Sequence, residues 1–161
     1  MSVVINGTGS ISGLSNVGGI ASAQSGSIIQ TVFNYSTSIV STNSTSYSTT
    51  SFSASITPQF STSKILVMFA GQAYVDTKNC FAYLAIYRGG GSIYSTGALL
   101  INSAATTSSM AGTPTLIYQD SPATTSSTTY TMYFKVDTGA IFYLDGQGAS
   151  PYSLTLMEIA A

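Results

Sequence analysis

Few side chains in this sequence could carry acid–base or covalent chemistry. There are five acids (Asp76, Asp120, Asp137, Asp145 and Glu158), four Lys/Arg, one cysteine and no histidine. Without histidine the commonest general base and metal ligand is missing, and no Ser-His or Cys-His arrangement can be built. Cys80 alone makes neither an internal disulfide nor a zinc site, and it reads as a small buried hydrophobe. The Gly-rich start Gly7-Thr8-Gly9-Ser10-Ile11-Ser12-Gly13 misses the dinucleotide spacing, and neither a P-loop nor a Gly-x-Ser-x-Gly elbow occurs. The sequence predicts no catalytic, cofactor or metal site.

A carboxylate pair of the glycosidase kind is the remaining enzymatic option, with Asp137 and Asp145 flanking one short strand. The competing reading is local. Asp76 opens Asp-Thr-Lys-Asn, Asp120 precedes Ser-Pro, Asp137 opens Asp-Thr-Gly and Asp145 sits in Asp-Gly, all settings where Asp bonds its own turn. No repeated Asp-x-Asp spacing supports calcium. Lys64 and Arg88 read as strand-end charges, Arg88 just before a glycine turn. Tyr83, Tyr87, Tyr94, Tyr118, Tyr143 and Tyr152 admit two readings: a platform for a sugar or protein partner, or rings in a core or interface with hydroxyls at a wet rim. The second is favoured.

The elements that must position these residues are strands. Charged residues make up 6% of the 161, where soluble domains carry about 25%. In their place stand 28 serines and 22 threonines, with 11 tyrosines and 7 phenylalanines. Threonine and the aromatics suit a pleated, half-buried surface. Phe52, Ala54 and Ile56 alternate with Ser53 and Ser55, and Tyr130, Met132, Phe134 and Val136 alternate with Thr129, Thr131, Tyr133 and Lys135. The run Lys64–Val75 is apolar on both parities up to Gln72, which predicts a strand covered on both faces. Further strands are expected at 28–33, 80–87, 93–94, 98–101, 115–118, 140–144 and 152–159, separated by turn signals. No helical periodicity competes. The prediction is one all-β domain over residues 27–161, an antiparallel, jelly-roll-like β-sandwich.

Residues 1–26 differ in kind. Six glycines separate short aliphatic pieces, with no aromatic and no charge. Such a segment cannot offset its ordering entropy alone, so it reads as an extended arm whose Val3, Val4, Ile5, Ile11, Leu14, Val17 and Ile20 would bind a partner. A net charge of −1 with four cations argues against nucleic acid and an anionic membrane surface. No apolar run approaches the ~20 residues of a spanning helix, and the first residues lack the basic flank and apolar block of a signal peptide. Assembly in a host cytoplasm is expected.

Two stretches resemble a known domain. Ser51-Phe52-Ser53-Ala54-Ser55-Ile56-Thr57-Pro58 with Ser63-Lys64-Ile65-Leu66-Val67 is similar to the opening of a β-sandwich domain recurrent in tailed-bacteriophage virion proteins. Ser126-Ser127-Thr128-Thr129-Tyr130-Thr131-Met132 and Leu154-Thr155-Leu156-Met157-Glu158-Ile159 resemble its end, and Val4-Ile5-Asn6-Gly7-Thr8 resembles openings of short phage structural proteins. The resemblance implies a trimeric sandwich on the virion surface, either on capsids or at tail-fibre ends. No shaft-like repeat accompanies it here, which favours a non-enzymatic capsid decoration (cement) protein. Its expected partners are itself, as a homotrimer, and the major capsid protein or another virion protein. The alternative is a tail-fibre or tail-tip module recognising a host surface glycan or protein.

Overall fold

The computed structural model describes residues 24–77, 79–97, 100–102, 109–137, 139–144 and 150–161. Its strands are β1 (Ile28–Ser36), β2 (Val40–Thr42), β3 (Ser48–Ile56), β4 (Lys64–Gly71), β5 (Ala73–Val75), β6 (Cys80–Arg88) and β7 (Gly91–Ser95). They continue with β8 (Leu100–Asn102), β9 (Met110–Gly112), β10 (Thr115–Asp120), β11 (Thr128–Val136), β12 (Phe142–Leu144) and β13 (Tyr152–Ile159). Every pairing among them is antiparallel.

Three sheets form two layers. The first sheet has the order β1-β13-β4-β10 and the second β2-β12-β5-β9. Position by position these are successive parts of the same four chain runs: β1 leads to β2, β4 to β5, β9 to β10 and β12 to β13. Together they make one four-run layer interrupted across its width. The third sheet, β3-β11-β6, forms the other layer, and its far edge is shared by β7 along residues 85–88 and β8 along residues 80–82. The β6–β7 hairpin turns on Gly89 and Gly90, both at positive φ (58° and 86°), as a two-residue turn requires.

Alternation fixes the core. On β11 the residues Tyr130, Met132, Phe134 and Val136 are buried and the intervening ones are not, as the period-two pattern predicts. Phe52, Ile56, Ile65, Val67, Phe69, Leu84, Ile86, Leu154 and Leu156 join them between the layers. The sandwich edges are closed by side chains. At one edge Gln30 Nε2 and Asn34 Nδ2 donate to the carbonyls of Thr57 and Ser53, each at 2.7 Å. At the other, Tyr94 and Tyr118 stack with centroids 5.1 Å apart.

One expectation fails. The run Lys64–Val75 is not one strand but β4 and β5, broken at Gln72, and β4 is not covered on both faces. Ile65, Val67 and Phe69 are buried, whereas Leu66, Met68 and Ala70 face outward and stay half-exposed. Among the described residues no third layer covers them.

The break has a steric cause. Gly71 lies opposite Tyr152, and a Cβ on Gly71 would sit 2.2 Å from Tyr152 Cβ and 2.8 Å from its Cα. Tyr152 packs edge-on against Phe52 (4.7 Å, 84°), and its hydroxyl donates to the Ser38 carbonyl between β1 and β2 at 2.9 Å. A methyl group at position 71 must push the two backbones apart at the centre of the layer. Gly71→Ala is expected to lower stability by about 1–3 kcal/mol, the usual range for overpacking. The measurement is a shift of the urea midpoint at constant slope; an unchanged midpoint rejects the steric account.

Candidate functional site

The acids resolve first, because they were the only enzymatic option. Glu158 and Asp120 both face inward on one terminal row of the first sheet, Gln30–Glu158–Ile65–Asp120 across β1, β13, β4 and β10. With one strand between them, their backbones are roughly 9–10 Å apart. Neither is open to a substrate. Glu158 is 0% exposed and accepts hydrogen bonds from Gln30 Nε2 (2.6 Å) and the backbone N–H groups of Gln59 (2.8 Å) and Phe60 (3.3 Å). Asp120, 6% exposed, accepts on Oδ2 from Arg88 (2.9 Å) and from the Tyr130 hydroxyl (2.8 Å).

One sequence reading is corrected here and one extended. Asp120 does not bond its own turn, and Arg88, the charge at the end of β6 before the glycine turn, is its partner. They pair across the layers, with Tyr130 at 0% exposure as third member. The reason is register: Arg88 and Tyr130 are direct partners on β6 and β11 and both point inward, toward the end of β10. Burial, then the bond to Asp120, push the Tyr130 hydroxyl well above the ordinary tyrosine value, so it stays protonated and donates. Above this trio an open cleft of about 360 Å³ is lined by Arg88, Gly89, Pro122, Thr124, Ser127, Thr128 and Thr129.

At the other end Asp76 and Asp137 lie in turns, but their carboxylates also reach residues far along the chain. Asp76 Oδ1 accepts from the Ile141 N–H (2.7 Å) and the Thr77 hydroxyl (2.8 Å), and Asp137 Oδ1 accepts from the Phe81 N–H (2.8 Å). Asp145 lies outside the described residues, so the Asp137–Asp145 pair has no geometry to support it. Cys80 is buried, and its thiol donates to the Thr77 carbonyl at 2.8 Å. Burial, then the charges of Asp137 and Asp76, raise its pKa above the ordinary thiol value, which opposes a thiolate.

What remains are the two outer faces. That of the first sheet carries Phe33 and Tyr35, each 62% exposed, Leu66 and Met68, Met157, and Ile117 at 56%. Cross-strand pairing lines them up: Phe33 is opposite Thr155, Thr155 opposite Met68 and Met68 opposite Ile117. Lys64, at its margin, donates to Ser121. The opposite outer face, on the third sheet, is built from hydroxyls and tyrosines. Tyr87 and Tyr133 stack at 3.8 Å, Tyr47 tilts onto Tyr87 at 6.3 Å, and Lys135 Nζ lies 5.0 Å from the Tyr47 ring centre and 4.7 Å from that of Tyr83.

The six tyrosines singled out in the sequence do not form one platform. Tyr83 and Tyr87 share the third sheet's outer face, Tyr94 and Tyr118 close an edge, Tyr143 stacks on Tyr74 (4.8 Å), and Tyr152 is core. Tyr47 and Tyr133 were missed. Tyr133 was legible, since it shares the outward parity of β11 with Lys135; Tyr47 lies outside any strand and gave no signal. The expected arm contacts Val3, Val4, Ile5, Ile11, Leu14, Val17 and Ile20 lie outside the described residues. The chain enters the sandwich beside its own C-terminus, where Gly26 N–H donates to the Ala160 carbonyl (2.8 Å) and Ala160 N–H to that of Ser27 (2.9 Å).

No protein-family model matches the chain, and no curated protein matches its sequence.

Burial opposes ionisation of Glu158, but the bonds from Gln30, Gln59 and Phe60 outweigh it and hold the carboxyl below its ordinary value of 4.5. A depressed folded-state pKa contributes stability that is complete above the unfolded value and is lost as pH falls through the folded one. Glu158→Gln is therefore expected to cost about 1–3 kcal/mol at pH 7. The gap to the wild type should narrow below pH 4.5. Denaturant titrations at pH 7 and at strongly acid pH measure both; an equal gap at the two pH values refutes the assignment.

Proposed function

We propose that this chain is a non-enzymatic structural protein of a tailed-bacteriophage virion, a capsid decoration (cement) protein that assembles as a homotrimer. The observation that carries the reading is the apolar outer face of the first sheet. A four-stranded face of this length spans roughly 15–20 Å by 25 Å. That is a few hundred Å², the scale at which exposed apolar patches mark interaction sites. The sequence of β4 is apolar on both parities, yet among the described residues only one of them is covered. A second copy supplies the missing cover, and the face has no charge at its centre to repel it.

The strand order supports the same reading. Counting β1–β2, β4–β5, β7–β8, β9–β10 and β12–β13 as single runs gives eight. The first, eighth, third and sixth lie side by side in one layer, and the second, seventh, fourth and fifth in the other. This is the double Greek-key order of a jelly roll, an architecture recurrent in viral capsids. Fold alone carries no function, so the resemblance to phage virion domains supplies the class. In this reading the Gly-rich arm attaches the trimer to the major capsid protein or another virion protein, adding many weak contacts over the shell.

The second reading, a tail-fibre or tail-tip module for a host surface glycan or protein, is favoured by the tyrosine-lined opposite face. Copy number per virion separates the two, because decoration proteins number in the hundreds and tail tips few.

Phe33→Asp combined with Ile117→Lys is expected to convert a trimer into a folded monomer. Both side chains are more than half exposed, so the sandwich does not need them. Sedimentation velocity at micromolar concentration reads the state, with circular dichroism as the folding control. A monomeric wild type, or a variant that remains trimeric, overturns this assignment of the face.

A further inference from the structure

The outer face of the third sheet contains a cation in an unusual position. Lys135 is the one charged residue among the outward positions of β11, and its ammonium sits between the rings of Tyr47 and Tyr83 at 5.0 and 4.7 Å. Among the described residues no carboxylate lies within ion-pair distance of it; the ion pair there is Arg88–Asp120. The two rings stabilise the charge through their faces but accept none of its N–H hydrogen bonds.

The surroundings are rich in hydroxyls. Ala85 belongs to the outward parity of β6, opposite Tyr133, yet it is 0% exposed and stands outside the core cluster. It is roofed over on the outside, on the face where Tyr133 and Tyr87 stack. Next along the sheet come Thr131 and Ser53, then Thr129 and Ser55, the last two joined at 2.7 Å.

We propose that Lys135 and the surrounding Tyr47, Tyr83, Tyr87 and Tyr133 bind an acidic saccharide, with the sugar carboxylate on the lysine ammonium and its hydroxyls on the phenol and Ser/Thr hydroxyls. A lone cation flanked by two rings suits a single carboxylate, which it can meet with its free N–H donors. It disfavours a polyanion such as nucleic acid, which needs several cations. A neutral polyhydroxyl body suits a face with many hydroxyls, whose carboxylate at the strand end, Asp137, is engaged by the Phe81 N–H, and aromatic rims suit the C–H faces of a sugar ring. The site lies on the layer opposite the apolar face, so this inference does not rest on the trimer reading.

The test is titration of the full chain with sialyllactose against lactose, and with a uronate-containing tetrasaccharide against a neutral chitin tetrasaccharide. The chain has no tryptophan and 11 tyrosines, so tyrosine emission reports binding directly. At least one acidic member should bind about tenfold more tightly than its neutral partner, a difference that added salt diminishes. Lys135→Gln should abolish that preference, and Lys135→Arg should retain most of it. Thermal melts confirm that both variants fold, and sedimentation reads their oligomeric state independently. Equal binding of acidic and neutral partners, no binding of any, or an acid preference that survives Lys135→Gln each overturns the proposal.

Discussion

The contact between Tyr152 and Gly71 governs how this sandwich is shaped. Four chain runs cross one layer, and each is interrupted at the level where these two residues meet. Tyr152 fills the interior there, against Phe52 and Phe69, and its hydroxyl ties the link between β1 and β2. A buried tyrosine of this size needs space on the neighbouring strand, and glycine provides it. With the layer broken there, β5 and β12 form a short second sheet whose Val75, Phe142 and Leu144 reach the common core. The position of the break also sets which residues of β4 face outward, and so the composition of the exposed face.

Buried polar groups then close one end. The first sheet's terminal row holds two carboxylates on its inner side, an arrangement that would be costly if either lacked donors. Each is satisfied by a different means: Glu158 by two backbone N–H groups and an amide, Asp120 by a guanidinium and a phenol. The first pins the segment after β3 to the end of β13, and the second pins β10 to β6 and β11. Both carboxylates therefore hold the layers in one register, which a purely apolar end would define less sharply.

Much of this was legible from residue order, and the failures share a cause. The alternation on β11 placed Tyr130, Met132, Phe134 and Val136 inside because strand parity is a local property. Asp76 and Asp137 were placed correctly in turns, but their carboxylates bond the Ile141 and Phe81 N–H groups, which residue order did not reveal. Arg88 with Asp120 was not legible, since 32 residues separate them and only the pairing of Arg88 with Tyr130 brings them together. Glu158 stood in an apolar run with nothing nearby to mark its partners, which come from β1 and the segment after β3. The double parity of β4 was read as cover on both faces. The pattern was real, but among the described residues only one of the two faces is covered.

An uncharged face of this kind constrains how copies can meet. Hydrophobic attraction has no direction, so a flat apolar sheet could in principle stack without limit, and sheet edges invite further pairing. Here the edge next to β1 and β3 is blunted by the Gln30 and Asn34 amides, which occupy carbonyls that another strand would use. The edge next to β10 and β7 is covered by the stacked Tyr94 and Tyr118. Growth by strand addition is thereby disfavoured, and the apolar face is left as the main contact. The opposite face cannot substitute for it, because its tyrosines surround a half-buried ammonium whose desolvation against an apolar partner would be costly. In the proposed assembly each copy would have one adhesive side and one solvated side. Closed rotational symmetry would bury the first in every copy and leave the second outward, which would end growth at a finite number of subunits.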